Sequence, residues 1–174
     1  MEKLHSKRFI AGMMLIMTAV ILLLCMFLTR YEMRISRIDI SDIPVLTEDD
    51  GILVHFDDAY YQLNTMEGEK LLIRGWAVIR GKETKPVTIH VLLRNRQTGE
   101  CFRLPTEIKT RSDVTELLKE DYANYDSSGF VTSPVTGRFD FSHNEYDVLI
   151  LYELSDGPYV MDVQQILTEK DGEQ

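Results

Sequence analysis

The chain is poor in several things, and each scarcity excludes a class of protein. It holds two cysteines, Cys25 and Cys101, too few for a disulfide scaffold. Basic residues are outnumbered, with 19 Lys+Arg against 28 Asp+Glu and a formal charge of −9. Nucleic-acid binding normally leaves a basic footprint, so no nucleic acid is expected as a partner. There is one tryptophan, Trp76. No glycine-rich phosphate loop, G-x-S-x-G, H-E-x-x-H or C-x-x-C occurs, which removes the common nucleotide, hydrolase and metalloprotease signatures. His55, His90 and His143 are widely spaced and none pairs with another histidine at ligand spacing, so no metal and no cofactor is expected. None of Asn64, Asn95, Asn124 or Asn144 begins an N-x-Ser/Thr sequon.

What is present begins with an apolar run. Phe9 to Leu28 is uncharged, and eleven of its twenty residues are Leu, Ile, Val or Phe. As a helix it would extend about 30 Å, a bilayer's hydrocarbon thickness. The run is longer than a signal-peptide core and lacks a small-residue cleavage site. Leu24 before Cys25 does not suit a lipoprotein box. The expectation is therefore an uncleaved transmembrane signal anchor, with the membrane as a partner through Phe9 to Leu28. Lys3, Lys7 and Arg8 nearly balance Arg30, Arg34 and Arg37. The short N-terminal tail decides for an N-terminus in the cytoplasm and residues 29–174 outside a bacterial cell membrane.

Residues 1–8 then form a cytoplasmic tail, 9–28 the anchor, 29–50 a tether, 51–168 the extracytoplasmic domain and 169–174 a frayed tail. Ile35, Ile38, Ile40 and Ile43 give the tether a weak apolar pattern, broken by Pro44 and by Glu48-Asp49-Asp50. From Gly51 the pattern is strand-like. Ile52–Phe56, Leu71–Ile79, Val87–Leu93, Cys101–Leu104, Phe130–Val135, Tyr146–Leu154 and Tyr159–Leu167 read as strands. Arg96-Gln97-Thr98-Gly99 and Asp156-Gly157 read as hairpin turns. Ser112–Leu118 reads as a short helix capped by Ser112. The fold class expected is all-β: an immunoglobulin-like or carbohydrate-binding-like antiparallel β-sandwich preceded by a single transmembrane helix.

Carboxylates are abundant, but no pair stands out as catalytic. Asp49-Asp50 and Asp57-Asp58 lack the alternating spacing of a calcium loop. Strand alternation puts Trp76 beside Arg74, Val78 and Arg80, and opposite Ile73, Ala77 and Ile79. That parity suits exposure, and a solvent-facing indole stacks on the apolar C–H face of a sugar. Gly75 can mark a bulge that upsets the parity, and core packing is the favoured reading for Trp76. Tyr60 and Tyr61, placed in a loop, are further candidates. The binding candidates are thus Trp76, Arg74, Tyr60 and Tyr61, with no catalytic residue.

Three signatures follow one another: Arg74-Gly75-Trp76-Ala77-Val78, Arg111-Ser112-Asp113-Val114 and Ser128-Gly129-Phe130. In this order they resemble a β-sandwich module of bacterial cell-envelope proteins, often appended to glycosyltransferases and polysaccharide-assembly enzymes. The likeness spans Ile52 to Leu167. Members of that family more often have proline where this chain has Ser112. The resemblance implies a fold and a setting in envelope glycan biology, with envelope polysaccharide or glycan-assembly proteins as partners. It supplies no catalytic group. The physical reading of the motifs is structural: Arg111 and Asp113 hold a turn, while Gly129 permits a close backbone approach or a positive φ before Phe130 enters the core. The function expected is a membrane-anchored, non-catalytic, glycan-binding module. A protein–protein scaffold is the alternative, and an envelope glycan hydrolase or transferase the third reading.

Overall fold

The computed structural model describes residues 12–26, 34–65, 68–84, 88–119, 123–133 and 139–169. The chain divides into two units, Met1–Arg34 and Ile35–Gln174. In the first, residues 12–26 form a helix, α1, in which the Thr18 hydroxyl donates to the Met14 carbonyl oxygen at 2.9 Å. At 1.5 Å per residue α1 is about 22 Å long, short of the roughly 30 Å of a bilayer core. No helix among the described residues is long and apolar enough to cross a membrane. The expected transmembrane helix over Phe9–Leu28 is corrected accordingly: the apolar composition runs through twenty residues, but the described helix does not. Residues 9–11 and 27–28 of that run lie outside the described residues.

The second unit is a two-sheet β-sandwich. Its strands are β1 (Ser36–Ile38), β2 (Val45–Leu46), β3 (Ile52–Thr65), β4 (Gly68–Ile79), β5 (Thr88–Asn95), β6 (Cys101–Arg103), β7 (Glu107–Lys109), β8 (Gly129–Thr132), β9 (Tyr146–Leu154), β10 (Gly157–Ile166) and β11 (Thr168–Glu169). A short helix, α2 (Ser112–Leu118), follows β7. One sheet runs β1-β6-β5-β9-β10-β2, the other β11-β3-β4-β8-β7. The pairings are antiparallel except for two short edge contacts, β2 with β10 and β11 with β3, which are parallel. Residues 134–138, which include the expected end of the Phe130 strand, are outside the described set.

Alternation builds the core. Ile89, Val91 and Leu93 of β5 and Val148, Ile150 and Tyr152 of β9 face Leu71, Ile73 and Ala77 of β4 and Phe130 of β8, all buried in one cluster. The two expected hairpins are present. In the first, the Asn95 side-chain oxygen accepts the N–H groups of Gln97 and Thr98, and Gly99 takes φ +73°. In the second, Gly157 takes φ +135°. These are conformations glycine adopts without steric cost.

Residues 35–46, expected within a tether, are built into the sandwich. β1 forms one edge of the six-stranded sheet and β2 the other, so the segment between them crosses the sheet's outer face. Ile38, Ile40 and Ile43 cover Leu92, Cys101, Leu149, Leu151 and Val160 there. The Pro44 carbonyl oxygen accepts the Val160 N–H at 2.9 Å, which fixes the strap's far end. Ile35 packs against the main core, and the other three isoleucines of the weak pattern thus form one apolar layer closing a second, smaller core. Cys101, buried beneath it, is a free thiol. On the same face Arg94 sits between Asp147 and Asp162, at 2.8 and 3.0 Å.

Candidate functional site

The outer face of the five-stranded sheet gathers most of the residues singled out in the sequence. On β4 the even positions point outward: Arg74, Trp76 and Val78, opposite the buried Ile73, Ala77 and Ile79. Trp76 is half-buried: it lies on the outer face, outside the main core, and packs against a smaller one. It packs in a satellite cluster with Leu53, Val78, Val114, Leu118 and Tyr125, which α2 and the loop after it lay against the sheet. His55 lies directly across from Trp76 on β3, the two rings stacked with centroids 6.0 Å apart and 30° between planes.

A β-bulge decides what else faces outward. The pairing of β3 with β4 slips between Phe56 and Asp58, and one extra residue reverses the alternation beyond it. Asp58 then pairs with Arg74, and Tyr60 with Leu72, on the outer face. Tyr61 turns inward and stacks on Phe141, centroids 4.5 Å apart. Burial first, and Glu169 second, push its phenol above the usual range. Tyr61 is therefore a core residue, while Tyr60, Arg74 and Trp76 share a face. Neither tyrosine is in a loop, because β3 continues through Asp57-Asp58 to Thr65.

Gly75 makes the bulge tolerable. A Cβ placed there would overlap the His55 carbonyl oxygen and sit 3.0 Å from the Phe56 Cα. Gly129, opposite Trp76 on β8, has a related role. Its Cβ would meet the Arg111 Cγ and the Lys109 carbonyl oxygen at 2.6 Å each. The stem of Arg111 accordingly lies flat on the sheet over Gly129, and close approach is the reason for glycine.

From there the Arg111 guanidinium holds two carboxylates. Its Nε and Nη2 donate to Asp113 at 2.9 and 2.8 Å, and its Nη1 donates to Asp57 at 2.8 Å. Pairing with Arg111 holds the Asp113 carboxyl below its ordinary 3.8. One side chain thus ties the first turn of α2 to the bulge of β3, two strands away, and the three sequence signatures meet on this rung. Ser112 does not cap α2: the N-cap position is Arg111, with no side-chain cap bond.

Nothing in the sequence marks His55, Asp57 or Asp58 as site residues. The acidic pair reads as the end of a strand, and the arginines that compensate it, Arg111 and Arg74, lie far along the chain. The resulting face combines a half-exposed aromatic pair with fixed donors and acceptors. Among the described residues no group of three His, Cys, Asp or Glu side chains is placed to hold a metal ion. No family model, no curated protein and no solved structure matches the chain.

Proposed function

We propose that this protein is a non-catalytic β-sandwich module that binds a cell-envelope glycan on the outer face of its five-stranded sheet. The observation that carries this reading is the outward placement of Trp76 against His55, with Arg74, Asp58 and Tyr60 on the same face. Sugars present apolar C–H faces to aromatic rings and hydroxyls to charged donors and acceptors, and such a face supplies both. Arg111, Asp57 and Asp113 act as positioning residues that keep the sheet, the bulge and α2 in one arrangement. The envelope setting, outside the cell, is supported by the resemblance of the three signatures and does not depend on a membrane-spanning helix.

Because Trp76 is the only tryptophan, its fluorescence reports on this face alone. Titration of the full-length protein with envelope polysaccharide from the producing organism is expected to shift the emission saturably. An emission that stays constant while binding is detected by another method would place the glycan elsewhere.

A further inference from the structure

The sandwich has a second recognition element at the open edge of β3. The Arg80 N–H donates to the Gly51 carbonyl oxygen at 2.9 Å, which sets the phase of the ladder with β4. In an antiparallel pair, alternate residues turn their backbone groups to the same neighbour. Gly51, Leu53 and His55 therefore bond to β4, while the N–H and C=O groups of Ile52, Val54 and Phe56 point away from it. β11 covers β3 only at Tyr60 and Tyr61, so among the described residues no strand pairs with this stretch.

Beside the open edge runs a groove of about 600 Å³, lined by Ile52–Phe56 on one side and by Val163 and Gln165 of β10 on the other. β10 carries its own bulge there, between Asp162 and Gln165, with Gln164 at φ +54°. β2 pairs with β10 only at Val160 and Met161, so the groove lies between two sheet edges.

We propose that this edge takes up an extended peptide strand with alternating apolar residues and a basic flank. An added strand would complete the backbone bonds of Val54 and Phe56, while Ile52 is already buried. Alternate side chains would enter the groove against Val54 and Val163, the arrangement of strand addition. The basic flank follows from charge. Asp49 and Asp50 stand at the start of the edge, exposed, with no ion pair to a described lysine or arginine.

The test uses full-length protein and a capped probe peptide, KTVTVTVK, followed by amide hydrogen exchange. On saturation, exchange at Val54 and Phe56 is expected to slow by about tenfold or more, while Leu53 and His55, already bonded to β4, do not change. The same peptide with glutamates for lysines is expected to bind about tenfold more weakly. Val54→Pro removes an outward N–H and should abolish binding. Should that variant fail to fold, Asp49→Lys, at an exposed position, is expected to weaken the lysine probe and favour the glutamate one. Absence of binding at millimolar peptide, or protection at other amides, overturns the proposal. So does slowing at the same amides by self-association without peptide. These readouts lie on β3's edge and leave the Trp76 fluorescence test of the glycan reading separate.

Discussion

A chain shortened to begin at residue 47 is expected to lose its fold, although residues 29–50 read as a tether. The cut removes β1, β2 and the strap, and uncovers Leu92, Leu149, Leu151 and Val160 on the outer face of the six-stranded sheet. Burying one such side chain contributes roughly 1.5–3 kcal/mol. Uncovering even half of each therefore costs about 3–6 kcal/mol, comparable with the roughly 5–15 kcal/mol that holds a whole domain together. Two sheet edges are opened at the same time, which invites association between chains. Chemical denaturation of the 47–174 chain should show no cooperative transition, or one at much lower denaturant than the full-length protein. An unchanged midpoint would mean that the isoleucines of the strap contribute nothing.

Gly75→Val carries the second large effect. The new side chain must occupy the place of the His55 carbonyl oxygen, and backbone held in the β3–β4 ladder cannot move aside as the end of a flexible side chain can. Overpacking at a core position typically costs about 1–3 kcal/mol and more where backbone is displaced. The expected loss is about 3 kcal/mol or more, a fall in melting temperature on the order of 10 °C. The damage also has a direction. Removing the bulge to relieve the clash would return Tyr60 to the inner face and Tyr61 to the outer one, separating Tyr60 from Arg74 and Trp76. Gly129→Ala, which collides with the flexible stem of Arg111 as well as with the Lys109 carbonyl oxygen, offers a comparison in which one neighbour can yield. A Gly75→Val protein that melts like the parent would remove the bulge from this account.

The sandwich was legible wherever structure follows local pattern. Alternation along Leu71–Ile79 gives the correct faces, Tyr146–Leu154 is a strand as its composition indicates, and both hairpin turns stand where their glycines require. The failures share a cause, which is dependence on partners far along the chain. The strap is three isoleucines without a period, and the residues they cover lie some fifty to one hundred and twenty positions later. The bulge depends on Gly75, and it alone decides which of Tyr60 and Tyr61 faces outward. Asp57 and Asp58 continue β3 because Arg111 and Arg74 compensate them across the sheet. In the N-terminal unit, twenty apolar residues suggested a membrane-spanning helix, while the described helix covers 12–26.

The central claim, that the outer face around Trp76 binds a glycan, is tested most directly by calorimetry. Full-length protein and its Trp76→Ala variant, matched for fold by circular dichroism, would be titrated with the same envelope polysaccharide. The account predicts saturable binding that weakens by about tenfold or more in the variant, the scale of losing a central aromatic contact. Equal affinity in the two proteins, or no heat of binding in the parent, would contradict it.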